Sequence, residues 1–455
     1  MRRRGRAERA SGVVGRRGSP GRARVDGVRG GRSRRNGPGR VAVWAILGAA
    51  SFAAPLAAQQ PEVFVGRTAE LYVNATVIDG RGGPARPETA ILVIDGRIEG
   101  IGSREQLVLP PGTSVVDVEG AVVVPGYLDA WGGRREGAAL AELAAAGITG
   151  VREAVTSLDD FRRRGRSVDA DDPAPIVFVG GVVLDSGANA IGLALSSQDD
   201  VPAAMGRLVE VDGAAFVSIA RSVPAEWIPA IAREARRRDA TVWVNPRTRG
   251  WLLALRAGVD VSSGLISGDP EMLTGDARAG YAELLDDSDA APLAAWLAAL
   301  DPSGDEVERA ITALLSRDAA VVPLLAGAAA TPGIEVVWPT AETLVRRLHA
   351  EGVRLLVGSG PDGEAGRFHD ELERLVAAGV PAVEVIAMAT RNVAGALGVL
   401  HDRGTLETGK RADFVVLEGD PTDDMANARR VDFLVVEGEA WRPRPEGGFE
   451  RLRFR

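Results

Sequence analysis

The sequence predicts an α/β protein: a (β/α)8 TIM barrel with a small composite β-sandwich domain formed from both ends of the mature chain. Three observations lead there. Short apolar, β-branched runs recur eight times between residues 121 and 358, with helical patterns between most of them. These runs do not alternate polar with apolar residues, which suits a parallel sheet covered on both faces. Strand-and-turn patterns flank the block at residues 61–124 and 398–445, and segments entering and leaving a barrel can pair into one domain.

The elements follow in order. Residues 41–58, VAVWAILGAASFAAPLAA, carry no charge, lie behind Arg34, Arg35 and Arg40, and end on the small pair Ala57-Ala58. This basic, apolar, small-residue order predicts a secretory signal peptide and an exported, periplasmic or extracellular protein. An uncleaved anchor and a buried helix are the alternatives. Residues 1–30 are more Arg-rich than a signal needs and read as an extension upstream of the true start, or as a basic arm.

Residues 62–124 then alternate short strands with turns, and the Asp95-Gly96 pair between apolar runs marks a hairpin. The barrel strands are expected at 121–129, 150–154, 176–183, 214–219, 241–245, 259–263, 319–325 and 354–358, within a barrel spanning 125–397. PAEWIPAIAREARRR, residues 224–238, repeats apolar residues at i, i+3 and i+4, a helix with one buried face. Residues 398–445 return to short strands.

Composition excludes several functions. The 455 residues contain no cysteine, so disulfides, zinc–thiolate sites and thiol nucleophiles are absent. Residues 1–58 hold 14 arginines against Glu8 and Asp26; subtracting these from 54 basic and 62 acidic residues leaves 40 and 60 in the remainder. A body this acidic does not suit phosphate-backbone contacts, so no nucleic-acid partner is expected.

Several stretches, taken together, resemble one family. These are VNATVIDGRGG with ILVIDGRIEGIG, then VVPGYLDAW, AAGITGVRE and ATRNVAGALGVLHDRGTLETGKRADFVVLEGDP. They are similar, in the right order from about Leu71 to Arg442, to the amidohydrolase superfamily, and most closely to its imidazolonepropionase-like and prolidase-like branch. The resemblance implies hydrolysis of amide, lactam or dipeptide C–N bonds. It also implies one or two zinc-type divalent metals at the C-terminal mouth of the barrel, which polarise the carbonyl and activate a water.

The ligand positions that the resemblance carries over are all changed. The motif Pro-Gly-x-x-Asp-x-His-x-His aligns with residues 125–133, so its histidines fall at Trp131 and Gly133. The strand-four lysine falls at Ser218, the strand-five histidine at Asn245, the strand-six histidine near Gly264, and the strand-eight aspartate at Gly360. Independently of alignment, residues 60–348 contain no His, Cys or Lys. A catalytic zinc draws three protein ligands from His, Asp, Glu or Cys, and carboxylates alone favour Mg or Ca. No cofactor is therefore expected, and no catalytic residue is assigned.

The groups that remain have structural readings. Asp129, Glu153, Asp185 and Asp362 lie near the barrel mouth, where acids orient strand ends; a paired-carboxylate hydrolase is the alternative. Ser218, Ser263 and Ser359 face a base-poor interior, and a serine nucleophile needs a base. His349, His369 and His401 read as solvated or capping side chains. An indole at Trp131 would plug the mouth with apolar bulk.

Three functions stay open. The first is a pseudoenzyme that forms a homo-oligomer, or a hetero-oligomer with an intact amidohydrolase homologue. The second is a hydrolase with an altered, carboxylate-only site, and the third a small-molecule binder using the barrel mouth.

Overall fold

The computed structural model describes residues 68–132, 138–155, 175–182, 184–186, 193–220, 222–244, 251–264, 268–287, 293–360 and 363–454. The apolar stretch at 41–58 lies outside them. Among the described residues no helix is long and apolar enough to cross a membrane.

Both flanks of the barrel join one nine-stranded sheet. Its hydrogen-bonded order is Phe449–Arg451, Glu439–Pro443, Val431–Val436, Phe414–Leu417, Val122–Pro125, Ala69–Val77, Arg86–Ile94 and Arg97–Gly102, with Ser114–Asp117 added in parallel to Ala69–Val77. The two flanks meet where Phe414–Leu417 runs antiparallel to Val122–Pro125, in the register Phe414↔Pro125 to Leu417↔Val122. The C-terminal strands run on to Arg451, past the expected end at 445. The hairpin at Asp95-Gly96 forms with φ of 49° and 77°, the left-handed pair of a type I′ turn, which matches strand twist. Tyr72, Phe414 and Phe433 pack on one face of this sheet, the first pair edge-to-face at 5.0 Å.

A buried ion pair locks the C-terminal flank. Arg403 Nη1 donates to Asp413 Oδ2 at 2.8 Å, with both residues 6% exposed. Asp413 Oδ1 also accepts from the Glu437 amide at 2.7 Å.

The eight barrel strands are Tyr127–Asp129, Ile148–Val155, Ile176–Val182 with Leu184–Ser186, Phe216–Ile219, Thr241–Val244, Val261–Ser263, Ala320–Val322 and Arg354–Leu355. All ladders between them are parallel. Leu184–Ser186 joins the third strand to the fourth through Ile219↔Leu184. Ala130 N donates to Val357 O at 2.9 Å and Gly360 N to Trp131 O at 2.8 Å, so the first and last strands meet. The short edge strand Leu193–Leu195 pairs with Leu184–Ser186 and had no signal in the sequence.

The run expected as one strand at 121–129 is two. Val122–Pro125 belongs to the flanking sheet, and Tyr127–Asp129 opens the barrel. The switch is at Gly126, whose amide donates to Asp413 O while that of Tyr127 donates to Gly147 O. A Cβ on Gly126 would lie 2.2 Å from Thr149 Oγ1, so only glycine lets the chain pass between the two sheets.

The helix expected at 224–238 forms over Ile228–Arg236. It buries Ile228, Ile231, Ala232 and Ala235, one stripe at i, i+3, i+4 and i+7. Each isoleucine contributes about 2 kcal/mol of burial. Inside the barrel, Leu128, Phe216, Trp243, Val261, Val322 and Leu356 form a solid layered core.

Candidate functional site

Of the positions singled out by resemblance, Trp131 follows strand one, Ser218 lies within strand four, Gly264 follows strand six and Gly360 lies beyond strand eight. Asp129 ends strand one and is fully buried. Its Oδ1 accepts from the amides of Trp131 at 2.9 Å and Ser359 at 3.0 Å, and its Oδ2 accepts from Ser359 Oγ at 2.5 Å. The carboxylate thus ties strand one to the loop after strand eight. Ser359 Oγ also reaches Trp131 O at 3.3 Å.

Arg152, in the middle of strand two, points into the barrel and is 2% exposed. Its Nη2 donates to Ser218 Oγ on strand four at 2.6 Å. Its Cζ lies 4.9 Å from the ring centre of Trp131, 5.1 Å from Phe216 and 4.4 Å from Trp243, within cation–π range of all three. Nε has no hydrogen-bond partner among the described residues. Burial draws the guanidinium pKa down to about 9, against the opposing pull of the Asp129 charge.

The other positions are closed by backbone and apolar atoms. Trp131 is partly exposed and packs on Gly358, where a Cβ would meet Trp131 Cβ and N at 3.0 Å. Gly360 has φ +91°, and a Cβ there would lie 4.0 Å from Leu324 Cδ2. Leu324 is buried in a left-handed conformation, φ 57° and ψ 44°. Gly264 is buried with φ +107°, and its amide donates to Val322 O at 2.8 Å. Gly133, Asn245, Asp362 and the side chain of Ser263 lie outside the described residues.

The donors at Trp131, Ser218, Gly264 and Gly360 do not fit a divalent metal. They amount to an indole, two glycines and one hydroxyl that already accepts from a cation. Among the described residues, no group of three or more His, Cys, Asp or Glu could hold a metal.

The remaining candidates are dispersed. Glu153 is buried on strand two next to Arg152 in sequence. Asp185, at the end of strand three, accepts from the Ser186 amide at 2.7 Å and from the Ser222 hydroxyl. His349 lies in the last turn of the helix Trp338–Ala350, and His401 is exposed. His369 is 3% exposed and not solvated. Its Nε2 donates to Ala146 O at 2.9 Å, beyond the C-terminus of the helix Ala138–Ala145, while its ring meets Tyr127 and Phe368 edge-on. Burial lowers its pKa to about 4.

Arg152 was missed by sequence reasoning. Its signal is the lone cation in an otherwise apolar run, GITGV before it and AV after Glu153. A charge inside a strand covered on both faces must point either into the barrel or toward its helices.

Residues 334–440 match the amidohydrolase family. The fold is similar to a Xaa-Pro dipeptidase solved with methionine in its active site: 18% identity, TM-score 0.60, covering 82% of this chain and 100% of that one. It is similar to molinate hydrolase at 17% identity and TM-score 0.61, over 82% of this chain and 94% of that one. For an ochratoxinase from A. niger the values are 16% identity and TM-score 0.61, over 84% and 98%. Comparison of the sequence with curated proteins gives no match.

Proposed function

We propose that this chain, whose residues 334–440 match the amidohydrolase family and whose fold is similar to that of a Xaa-Pro dipeptidase, is an exported amidohydrolase-like protein that has lost metal-dependent hydrolysis of C–N bonds. It acts instead as a subunit, paired with another copy of itself or with an intact homologue. One observation carries the reading: the hydroxyl of Ser218, where the resemblance places the bridging lysine, accepts a hydrogen bond from the buried Arg152 guanidinium at 2.6 Å. Two unit charges about 4 Å apart repel by about 4 kcal/mol at an effective dielectric of about 20, and a dication doubles that. A metal held beside this group would meet repulsion where an intact centre supplies an anionic ligand.

Two further features support the reading. Both oxygens of Asp129 accept hydrogen bonds that tie strand one to the loop after strand eight, a structural use of this carboxylate. The uncharged run at 41–58 behind three arginines supports export.

The test is purification without added metal, elemental analysis, and assay on a panel of dipeptides and lactams with and without zinc. The expected result is substoichiometric metal and no turnover in either condition. Stoichiometric zinc that is lost together with turnover on chelation would end the proposal.

A further inference from the structure

We infer that the interior of this barrel is an organic-cation site occupied by the chain's own Arg152, and that the same site would take a free guanidinium if that side chain were removed. The inference goes beyond the loss of metal chemistry. It stands on the geometry around Arg152 and holds whether or not the chain hydrolyses anything.

Three strand-borne rings surround one charge. Trp243 from strand five lies nearest, at 4.4 Å from Cζ, then Trp131 beyond strand one at 4.9 Å and Phe216 from strand four at 5.1 Å. Each ring presents its electron-rich face to a cation, and removal of water strengthens that attraction. Ser218 Oγ accepts from Nη2, and the buried Asp129 adds its field. A guanidinium faced by three aromatic rings is the arrangement expected of a site that recognises a planar cation.

The alternative is that Arg152 only fills volume. Its charge argues against this. The group keeps its proton at neutral pH, since burial lowers its pKa only to about 9. A side chain placed only for bulk would be apolar, because burying a cation is costly unless its surroundings compensate. Phe216 and Trp243 themselves meet at 5.8 Å and 50°, tilted, and both are buried, so their position does not depend on a mobile segment.

The test uses the full mature chain with Arg152→Ala and Arg152→Met. Thermal unfolding and tryptophan emission, to which Trp131 and Trp243 contribute among the chain's eight tryptophans, are measured with low-millimolar methylguanidinium chloride, methylurea or sodium chloride. Arg152→Ala is expected to lower the unfolding temperature by about 5–10 °C, the range for removing one partner of a buried charged contact. Methylguanidinium is expected to recover several degrees and shift the emission of this variant alone. Methylurea, its neutral counterpart in shape, and sodium chloride are expected to do neither.

Equal stabilisation by methylurea, or no response from a folded Arg152→Ala, overturns the inference. Where Arg152→Ala does not fold, Arg152→Met decides, because it keeps most of the volume without the charge. Stability equal to the wild type shows that no cation is needed and overturns the inference; a loss of several degrees supports it. Zinc content is read separately on the wild type, so a metal-loaded, active wild type would sink the functional proposal without touching this one.

Discussion

Glu371 offers a prediction whose size follows from its position. It lies on the helix Ala365–Ala377, is 0% exposed, and its Oε2 accepts from the Ala326 amide at 2.6 Å. Oε1 has no hydrogen-bond partner among the described residues. Burial is the dominant influence and pushes the carboxyl up to about 7 from 4.5, against the amides of Ala326, Leu325 and Leu324 and the charge of Arg374. The difference, 7 minus 4.5, is about 2.5 pH units, or about 3 kcal/mol at 1.36 kcal/mol each.

Because the folded pKa is raised, this contribution is complete below pH 4.5 and lost as pH rises through about 7. Glu371→Gln keeps an oxygen for the Ala326 amide and removes the titration. Urea unfolding of both proteins from pH 4.5 to 8, followed by tryptophan emission, gives the double difference in which other groups cancel. Glu371→Gln should gain about 3 kcal/mol on the wild type across that window, with unchanged m. A difference constant to within about 1 kcal/mol would refute the reasoning. The consequence is local to the mouth, because Glu371 holds the loop in which Leu324 adopts its left-handed conformation and leans toward Gly360.

Two further perturbations test other parts of the packing. His369 has its pKa lowered by burial to about 4 from 6.5, so its contribution is complete above pH 6.5 and lost as pH falls to about 4. Between pH 7 and pH 5 the wild type should lose about 2 kcal/mol through this group; His369→Phe should abolish that loss, and a slope unchanged from wild type would contradict it. Asp413→Asn strips the partner from the buried Arg403 and should cost about 3–5 kcal/mol in urea unfolding; a loss under about 1 kcal/mol would show that Asp402 and Glu437 suffice for Arg403.

Much of the architecture was legible without coordinates because it rests on local chemistry. Short β-branched runs without alternation mark strands covered on both faces, and the barrel strands overlap the expected runs, with Ile148–Val155 running past both ends of 150–154 and Leu184–Ser186 lying beyond 176–183. Asp95-Gly96 marks its own turn because both residues tolerate positive φ. Ile228, Ile231, Ala232 and Ala235 mark their helix by spacing alone. The lack of His, Cys and Lys between 60 and 348 is likewise a property of the chain, whatever its fold.

What depended on distant neighbours was not legible. One run at 121–129 became two strands because the Gly126 amide bonds Asp413 O while the next amide, of Tyr127, bonds Gly147 O, and neither partner is adjacent in sequence. For His369 the sequence leaves solvated and capping readings open, and only the placement of the Ala146 carbonyl beyond the helix Ala138–Ala145 selects the second. Arg152 reads as an ordinary charge until barrel closure sets strands four and five beside it. Periodicity reports which face of an element is apolar, and so the sequence by itself determined the elements and the missing ligand types. Which side chains converge at the centre of a closed barrel is set by register and closure between strands tens of residues apart. For that reason only the tertiary structure decided that a guanidinium, ringed by Trp131, Phe216 and Trp243, would lie there.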